Sequence, residues 1–447
     1  MPKHLLAIFV AVALSGSALA QTEALADYLA RVQDTPGFRA SLASREAARL
    51  QLQNAYDPVS LDASLGYARL PQSESGLPDF LTSIPGIEDL FASPTSSTSV
   101  SLSLRFRPAP FGDISDLVRQ RQLELASAQL RLRDTLTQLE TQAVEGALRL
   151  ELAQEGLVIA EEGLALAEEV LAATELRRER GAATPAELRD ANLRVREARD
   201  RVRQSEADLD VARLSLRQLV GDARLGDVPN LPRVRGEPLD VLRAQLDAER
   251  AQIGVRSSER ELYPTAQATY NYQPSDESTF SLSVESRTLQ PSLSYSYQSA
   301  AGGGGGLGGL LGGGGSQPTF QVGVSMTISP GTLNAYDAAR AQRDAAQAGL
   351  EQTRNSSALQ LESLQNALEA AERSLDTAQL NRLSAQLSLD EARSRLDLGL
   401  ATDLERQQAF VSLQQAELNL RSARLERLRR LLDIYRYYAI PISEVLE

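Results

Sequence analysis

The sequence predicts a mainly α-helical protein with transmembrane β-strands: duplicated long α-helical hairpins and four β-strands per chain. Three observations carry this reading. Two stretches, from about Asp113 to Arg180 and from about Thr332 to Leu398, have helical periodicity and no proline. Four short runs alternate strictly between apolar and polar residues. Matching residues recur at a fixed offset between the two halves.

Each proline-free stretch would make a helix roughly 100 Å long at 1.5 Å per residue, too long for an ordinary globular core. Each ends at a glycine, Gly181 or Gly399, and a second helix follows, to about Val220 or Tyr438. Gly181-Ala182-Ala183-Thr184 aligns with Gly399-Leu400-Ala401-Thr402. The same offset of 218 brings Glu187 to Glu405, Ala191 to Ala409, Ala198 to Ala416 and Val202 to Leu420. Such a match marks an internal duplication. The expected organisation is an export signal over 1–20, a first repeat over 21–222 and a second over 223–447. The first repeat holds a helix, a strand pair over 59–107 and a helical hairpin over 113–220. The second holds a helix, a strand pair over 264–329 and a hairpin over 332–438.

After Gly181, Leu188, Ala191, Val195, Ala198, Val202, Ser205, Leu209, Ala212, Leu216 and Leu219 step by three and four, a heptad seam. Alone, that seam reads as a soluble coiled coil. The strands read differently. Val59, Leu61, Ala63, Leu65 and Tyr67 alternate with polar or small residues, as do Val100, Leu102, Leu104 and Phe106. In the second half the pattern returns at Ala266, Ala268, Tyr270 and Tyr272, and at Phe320, Val322, Val324, Met326 and Ile328. These runs have the length of a tilted transmembrane strand, although a half-buried soluble sheet alternates in the same way. Two further alternating runs, 280–284 and 293–297, fit either extra barrel strands or a hairpin above the membrane. A near-continuous glycine run at 302–315 and a segment with Pro71, Pro78, Pro85 and Pro94 read as outer loops. Arg105 and Arg107, at the end of the second strand, fit an interface anchor or the lining of a periplasmic mouth.

The N-terminus has the order of a secretory signal: Lys3, an apolar run from Leu5 to Leu14, and Ala18-Leu19-Ala20. Its removal takes His4 and Lys3, the only histidine and lysine. The remaining chain has 45 basic residues, all arginine, against 59 acidic ones, with no cysteine or tryptophan. No histidine or cysteine nucleophile pair, imidazole or thiolate metal site, or lysine Schiff base can form. The acidic balance argues against a nucleic-acid partner. No metal or cofactor is expected. Past the signal, no apolar run is long enough for a helical span, so contact with a membrane requires a closed β-barrel. Four strands cannot close one, and several copies must share it.

Signal, duplicated strand pairs with long helices, and two Gly-x-x-Thr turns together resemble the TolC-like outer-membrane efflux family. The similarity covers nearly all of the chain after the signal. It includes the turns into the long helices at Pro108-Ala109-Pro110-Phe111-Gly112 and Ser329-Pro330-Gly331. The resemblance implies a homotrimer with a shared twelve-strand β-barrel in the cell outer membrane and a long periplasmic helical tunnel. It also implies a periplasmic adaptor and an inner-membrane pump as partners, and passive conduction rather than enzymatic chemistry, in a tripartite efflux or type I secretion system. Gly181, Ala182, Ala183, Thr184, Gly399, Leu400, Ala401 and Thr402 would be the adaptor-docking tip. Glu405 would face the pore as a constriction acid, with Asp403 and Glu187 beside it. Gln408 stands where the family often places a second acid, which weakens an acidic ring. The competing reading is a non-channel structural coiled-coil protein of the cell envelope.

Overall fold

The structure, a computed structural model, describes residues 22–23, 25–69, 96–107, 111–221, 223–225, 231–275, 277–301 and 318–446. The expected signal, the four-proline loop, Pro108-Ala109-Pro110 and the glycine run lie outside the described residues.

The chain forms β1 (Thr22–Glu23), α1 (Leu25–Ala30), a 3-10 turn (Arg31–Asp34), α2 (Pro36–Ala55), β2 (Val59–Arg69) and β3 (Ser96–Phe106). Next come α3 (Asp113–Glu179), α4 (Pro185–Val220), β4 (Arg224–Leu225), α5 (Leu239–Glu261), β5 (Thr265–Ser275), β6 (Ser278–Glu285), β7 (Pro291–Ala301) and β8 (Thr319–Ser325). It ends with α6 (Pro330–Asp397), α7 (Asp403–Tyr438) and α8 (Ser443–Leu446). The long helices α3 and α6 have 67 and 68 residues, and α4 and α7 have 36 each.

The chain divides into two compact units. The first holds Met1–Ala43, Gln129–Leu242 and Thr353–Glu447; the second holds Ser44–Ala128 and Arg243–Gln352.

In the first unit the heptad seam sets the packing. From 189 to 218 of α4, the seam positions are buried or half-buried and all other positions are exposed. A stripe of that kind covers one side of the helix and leaves the other to solvent. Leu413, Ala416 and Leu420 of α7 are buried at the offset of Val195, Ala198 and Val202. The core sits where the ends of the chain meet the helices: Tyr28, Leu29 and Val32, Ala143 and Val144, and Leu431, Leu432, Tyr435 and Ile442. Its buried hydroxyls are satisfied, as desolvation requires. Tyr28 Oη donates to the Ala143 carbonyl at 3.1 Å, and Tyr435 Oη to the Pro232 carbonyl at 2.9 Å. Arg436 reaches Thr141 Oγ1 at 2.8 Å and Glu145 at 3.0 Å. Glu140 accepts from the Ser443 hydroxyl at 2.6 Å and the Ser443 amide at 3.2 Å, tying α8 to α3. Burial pushes the Glu140 carboxyl above its ordinary range, against the lowering effect of those hydrogen bonds.

The second unit holds an antiparallel six-stranded sheet in the order β2-β3-β7-β6-β5-β8. The four strands expected from the sequence are all in it, and β6 and β7 raise the count to six. The registers show why the extra hairpin pairs instead of standing apart. Leu61, Leu104, Leu293, Leu282, Tyr270 and Phe320 fall in one cross-strand row. The next row reads Asp62, Ser103, Ser294, Ser281, Asn271 and Thr319. The alternation of β6 and β7 therefore continues both faces, and the register shifts only at the far end of the β5–β6 pair, between Tyr272 and Ser275.

The two faces differ sharply. The apolar face is largely open: its exposed large side chains run from 38% at Val100 to 77% at Leu65, while Ala266, Ala268, Val284, Tyr295 and Tyr297 are half-buried. Contiguous apolar exposure on this scale marks an interaction or membrane surface. Its Phe280 and Tyr295 rings stand 4.7 Å apart. The other face is lined by hydroxyls, bonded across strands at Ser64–Ser101 (2.7 Å) and Ser283–Ser292 (2.6 Å). Arg105 lies on this polar face and pairs with Asp62 at 3.7 Å.

One end of the sheet is tied to helices. Arg260 of α5 bridges Asp113 and Asp116 of α3 at 3.0 and 2.6 Å. Arg287, in the β6–β7 turn, donates to the carbonyls of Arg260 and Glu261. Gly112 has φ +54°, and a Cβ there would collide with the Arg287 carbonyl oxygen.

Candidate functional site at the interhelical turns

The two α-hairpin turns place the residues singled out by the sequence. In both, the first helix closes with a left-handed glycine, Gly181 at φ +74° and Gly399 at φ +72°. The following bonds are those of a Schellman motif, which uses glycine because a side chain is strained at that φ. Ala182 N donates to Arg177 O at 2.8 Å and Gly181 N to Arg178 O at 2.9 Å. Leu400 N donates to Arg395 O at 2.7 Å and Gly399 N to Leu396 O at 2.9 Å.

Three residues on, a threonine opens the second helix. Thr184 and Thr402 are N-caps, each in a complete capping box with the acid at N3. The Thr184 amide donates to Glu187 at 2.6 Å, and the Glu187 amide donates to Thr184 Oγ1 at 3.2 Å. Thr402 and Glu405 exchange the equivalent pair at 3.3 Å each. The Gly-x-x-Thr-x-x-Glu pattern is thus the hydrogen-bond code of a tight helix-to-helix reversal. Hydrogen bonds from Thr184, backbone first, hold the Glu187 carboxyl below its ordinary range.

The turns bring together Gly181, Ala182, Ala183 and Thr184 in one loop and Gly399, Leu400, Ala401 and Thr402 in the other. Ala183 and Ala401 are half-buried; the other six are exposed. Asp403 is the first residue of α7. The turns share a backbone plan but not a surface. Leu398 and Leu400 are 73% and 68% exposed, where the first turn has Arg180 and Ala182. Ion pairs splint each hairpin below its turn, Arg199 with Glu168 at 2.9 Å and Arg382 with Glu417 at 3.5 Å.

Sequence reasoning found both turns and missed the fastening at the other end of the helices. The signal for it was present in Gly112 beside Asp113 and Asp116, but the partners Arg260 and Arg287 lie far along the chain.

The outer membrane efflux protein family matches residues 20–222 and again 231–439. The chain belongs to that family. This is the family the sequence resembled, and the efflux fold extends through the solved structures. The outer membrane channel CmeC of Campylobacter jejuni superposes with a TM-score of 0.65 at 13% identity, over 93% of this chain and 84% of that one. The outer membrane protein VceC of Vibrio cholerae gives 0.59 at 16%, over 93% and 95%. The open state of the MtrE outer membrane channel of Neisseria gonorrhoeae gives 0.61 at 17%, over 93% and 88%. No curated protein matches the chain by sequence.

Proposed function

We propose that the chain is the outer-membrane exit channel of a tripartite efflux or type I secretion system. In this reading it conducts substrates passively from the periplasm or pump to the exterior and catalyses no reaction. The observation that carries the proposal is the two-faced sheet. One face is apolar and open along every strand; the other is hydroxylated and nearly free of charge. Lipid suits the first and a water-filled lumen the second. Among the described residues the sheet's outer strands β2 and β8 each have one unpaired edge, which lipid does not tolerate. Three copies sharing one barrel remove those edges, and the helical hairpins then form the periplasmic body. Exposed apolar positions at Leu380, Leu383 and Leu387 of α6 supply helix-to-helix contact between copies.

The same reading treats residues 21–222 and 223–447 as two repeats after an export signal over 1–20. Gly181, Ala182, Ala183, Thr184, Gly399, Leu400, Ala401 and Thr402 would form the surface gripped by a periplasmic adaptor, with an inner-membrane pump behind it. Glu405, with Asp403 and Glu187, would supply acid at the constriction. The capping role of Glu405 leaves its carboxylate exposed, so both roles are compatible. A cross-linker at Ala182→Cys or Leu400→Cys should couple the chain to its cognate adaptor in cells, while one at Leu102→Cys on the sheet should not. Equal coupling from all three positions would defeat the docking assignment.

A further inference from the structure

We propose that the β6–β7 hairpin is part of the barrel wall, so that each copy gives six strands and three copies close an eighteen-strand barrel of wide bore. This rests on the trimeric channel reading above and departs from the twelve strands that four per copy would give.

Three features carry it. The hairpin is not an appendage: β7 pairs along β3, and β6 pairs along β5, so the four strands expected from the sequence are separated by it in the sheet. Its two faces match those of its neighbours. Phe280 and Leu282 continue the open apolar face, while Ser281 and Ser294 continue the hydroxyl face, 2.5 Å apart. Its turn is fastened at the helical end of the sheet by Arg287 and by the close approach of Gly112. That short turn lies opposite the end where the sequence has its long connections over 70–95 and 302–317. Outer-membrane barrels have short periplasmic turns and long outer loops, and two of the three connections at this end, all but β5–β6, are long.

Parity permits closure. All five pairings are antiparallel, so β2 and β8 run in opposite directions. The β8 edge of one copy can therefore pair antiparallel with the β2 edge of the next. At a strand spacing of about 4.8 Å and a tilt of about 40°, twelve strands give a backbone diameter of roughly 24 Å and eighteen roughly 36 Å. The larger bore, lined mainly by serine, threonine, asparagine and glutamine, suits bulky polar cargo and offers few charges for selection by charge.

The test is single-particle electron microscopy of the full mature chain in lipid nanodiscs, with the wall strands counted. A threefold particle with eighteen strands and β6–β7 in the wall is the expected result. A threefold particle with twelve strands and the hairpin outside the wall overturns the proposal. A twofold particle with twelve strands that include β6–β7 supports six strands per copy and overturns the trimeric reading instead. A variant lacking residues 276–301 provides a second measurement. It joins Ser275 to the glycine run and leaves β5 antiparallel to β3, with Tyr270 and Leu104 still on one face. Its barrel diameter should fall by about a third; an unchanged diameter overturns the wall assignment.

Discussion

Leu102→Arg and Ser101→Arg test the two faces of the sheet at neighbouring positions of β3. Leu102 is exposed, in register with Ala63 and Tyr295. Ser101 is in register with Ser64 and Ser296, and its hydroxyl bonds to Ser64 at 2.7 Å. If both faces were in water, arginine at Leu102 would replace a side chain already wet, and stability would change by less than about 0.5 kcal/mol. If the apolar face meets lipid, the cost depends on depth. Position 102 is one residue from the middle of Ser96–Phe106, about 2.6 Å in height at the tilt used above. A charge near mid-height costs about 2–4 kcal/mol per copy, or about 6–12 kcal/mol for three. On the same account Ser101→Arg would face the lumen and lose at most one hydroxyl bond per copy, about 0.5–1.5 kcal/mol each. Urea unfolding in vesicles, followed by far-ultraviolet dichroism, separates the cases. The two variants unfolding within about 0.5 kcal/mol of each other would refute the lipid-facing assignment.

The remaining predictions concern the helices and their fastenings. Thr184→Ala and Thr402→Ala each remove an N-cap and should cost about 1 kcal/mol, read as faster amide exchange in the first turn of α4 or α7. Gly112→Ala should cost more than Gly181→Ala. Both positions have positive φ, worth about 1–2 kcal/mol to a side chain, but only Gly112 would also strike the Arg287 carbonyl; equal thermal shifts would count against that contact. Glu140 holds its proton to higher pH in the folded chain than when unfolded, because burial raises its pKa. That stabilisation is complete below the ordinary glutamate pKa and is lost as pH rises through the raised value, so Glu140→Gln should flatten the fall of the urea midpoint as pH rises above the ordinary glutamate pKa. Glu405→Gln keeps the capping box, since glutamine serves at N3. It therefore isolates charge and should lower cation preference; an unchanged reversal potential in a salt gradient would remove Glu405 from the constriction.

Much of the fold was legible because it is written in short-range periodicities. The seam from Leu188 to Leu219 reports its own burial, and Gly181 and Gly399 mark where the helices reverse because few other residues adopt that φ cheaply. Strand existence was equally plain, since alternation of period two survives without knowledge of partners. Pairing was not. Nothing local tells Leu282 that it faces Leu293 on one side and Tyr270 on the other, so the place of β6–β7 had to come from the registers. The Arg260 bridge to Asp113 and Asp116 was hidden for the same reason, spanning more than a hundred residues of chain. At the turns, Thr184, Glu187, Thr402 and Glu405 are fully explained as capping boxes, so their spacing alone does not distinguish a docking surface from a well-made turn.

Planar-bilayer recording of the purified mature chain tests the channel most directly. The account predicts discrete current steps of uniform size once the protein has inserted. Protein that enters the bilayer, resists extraction by urea and yet passes no current at any voltage would contradict it.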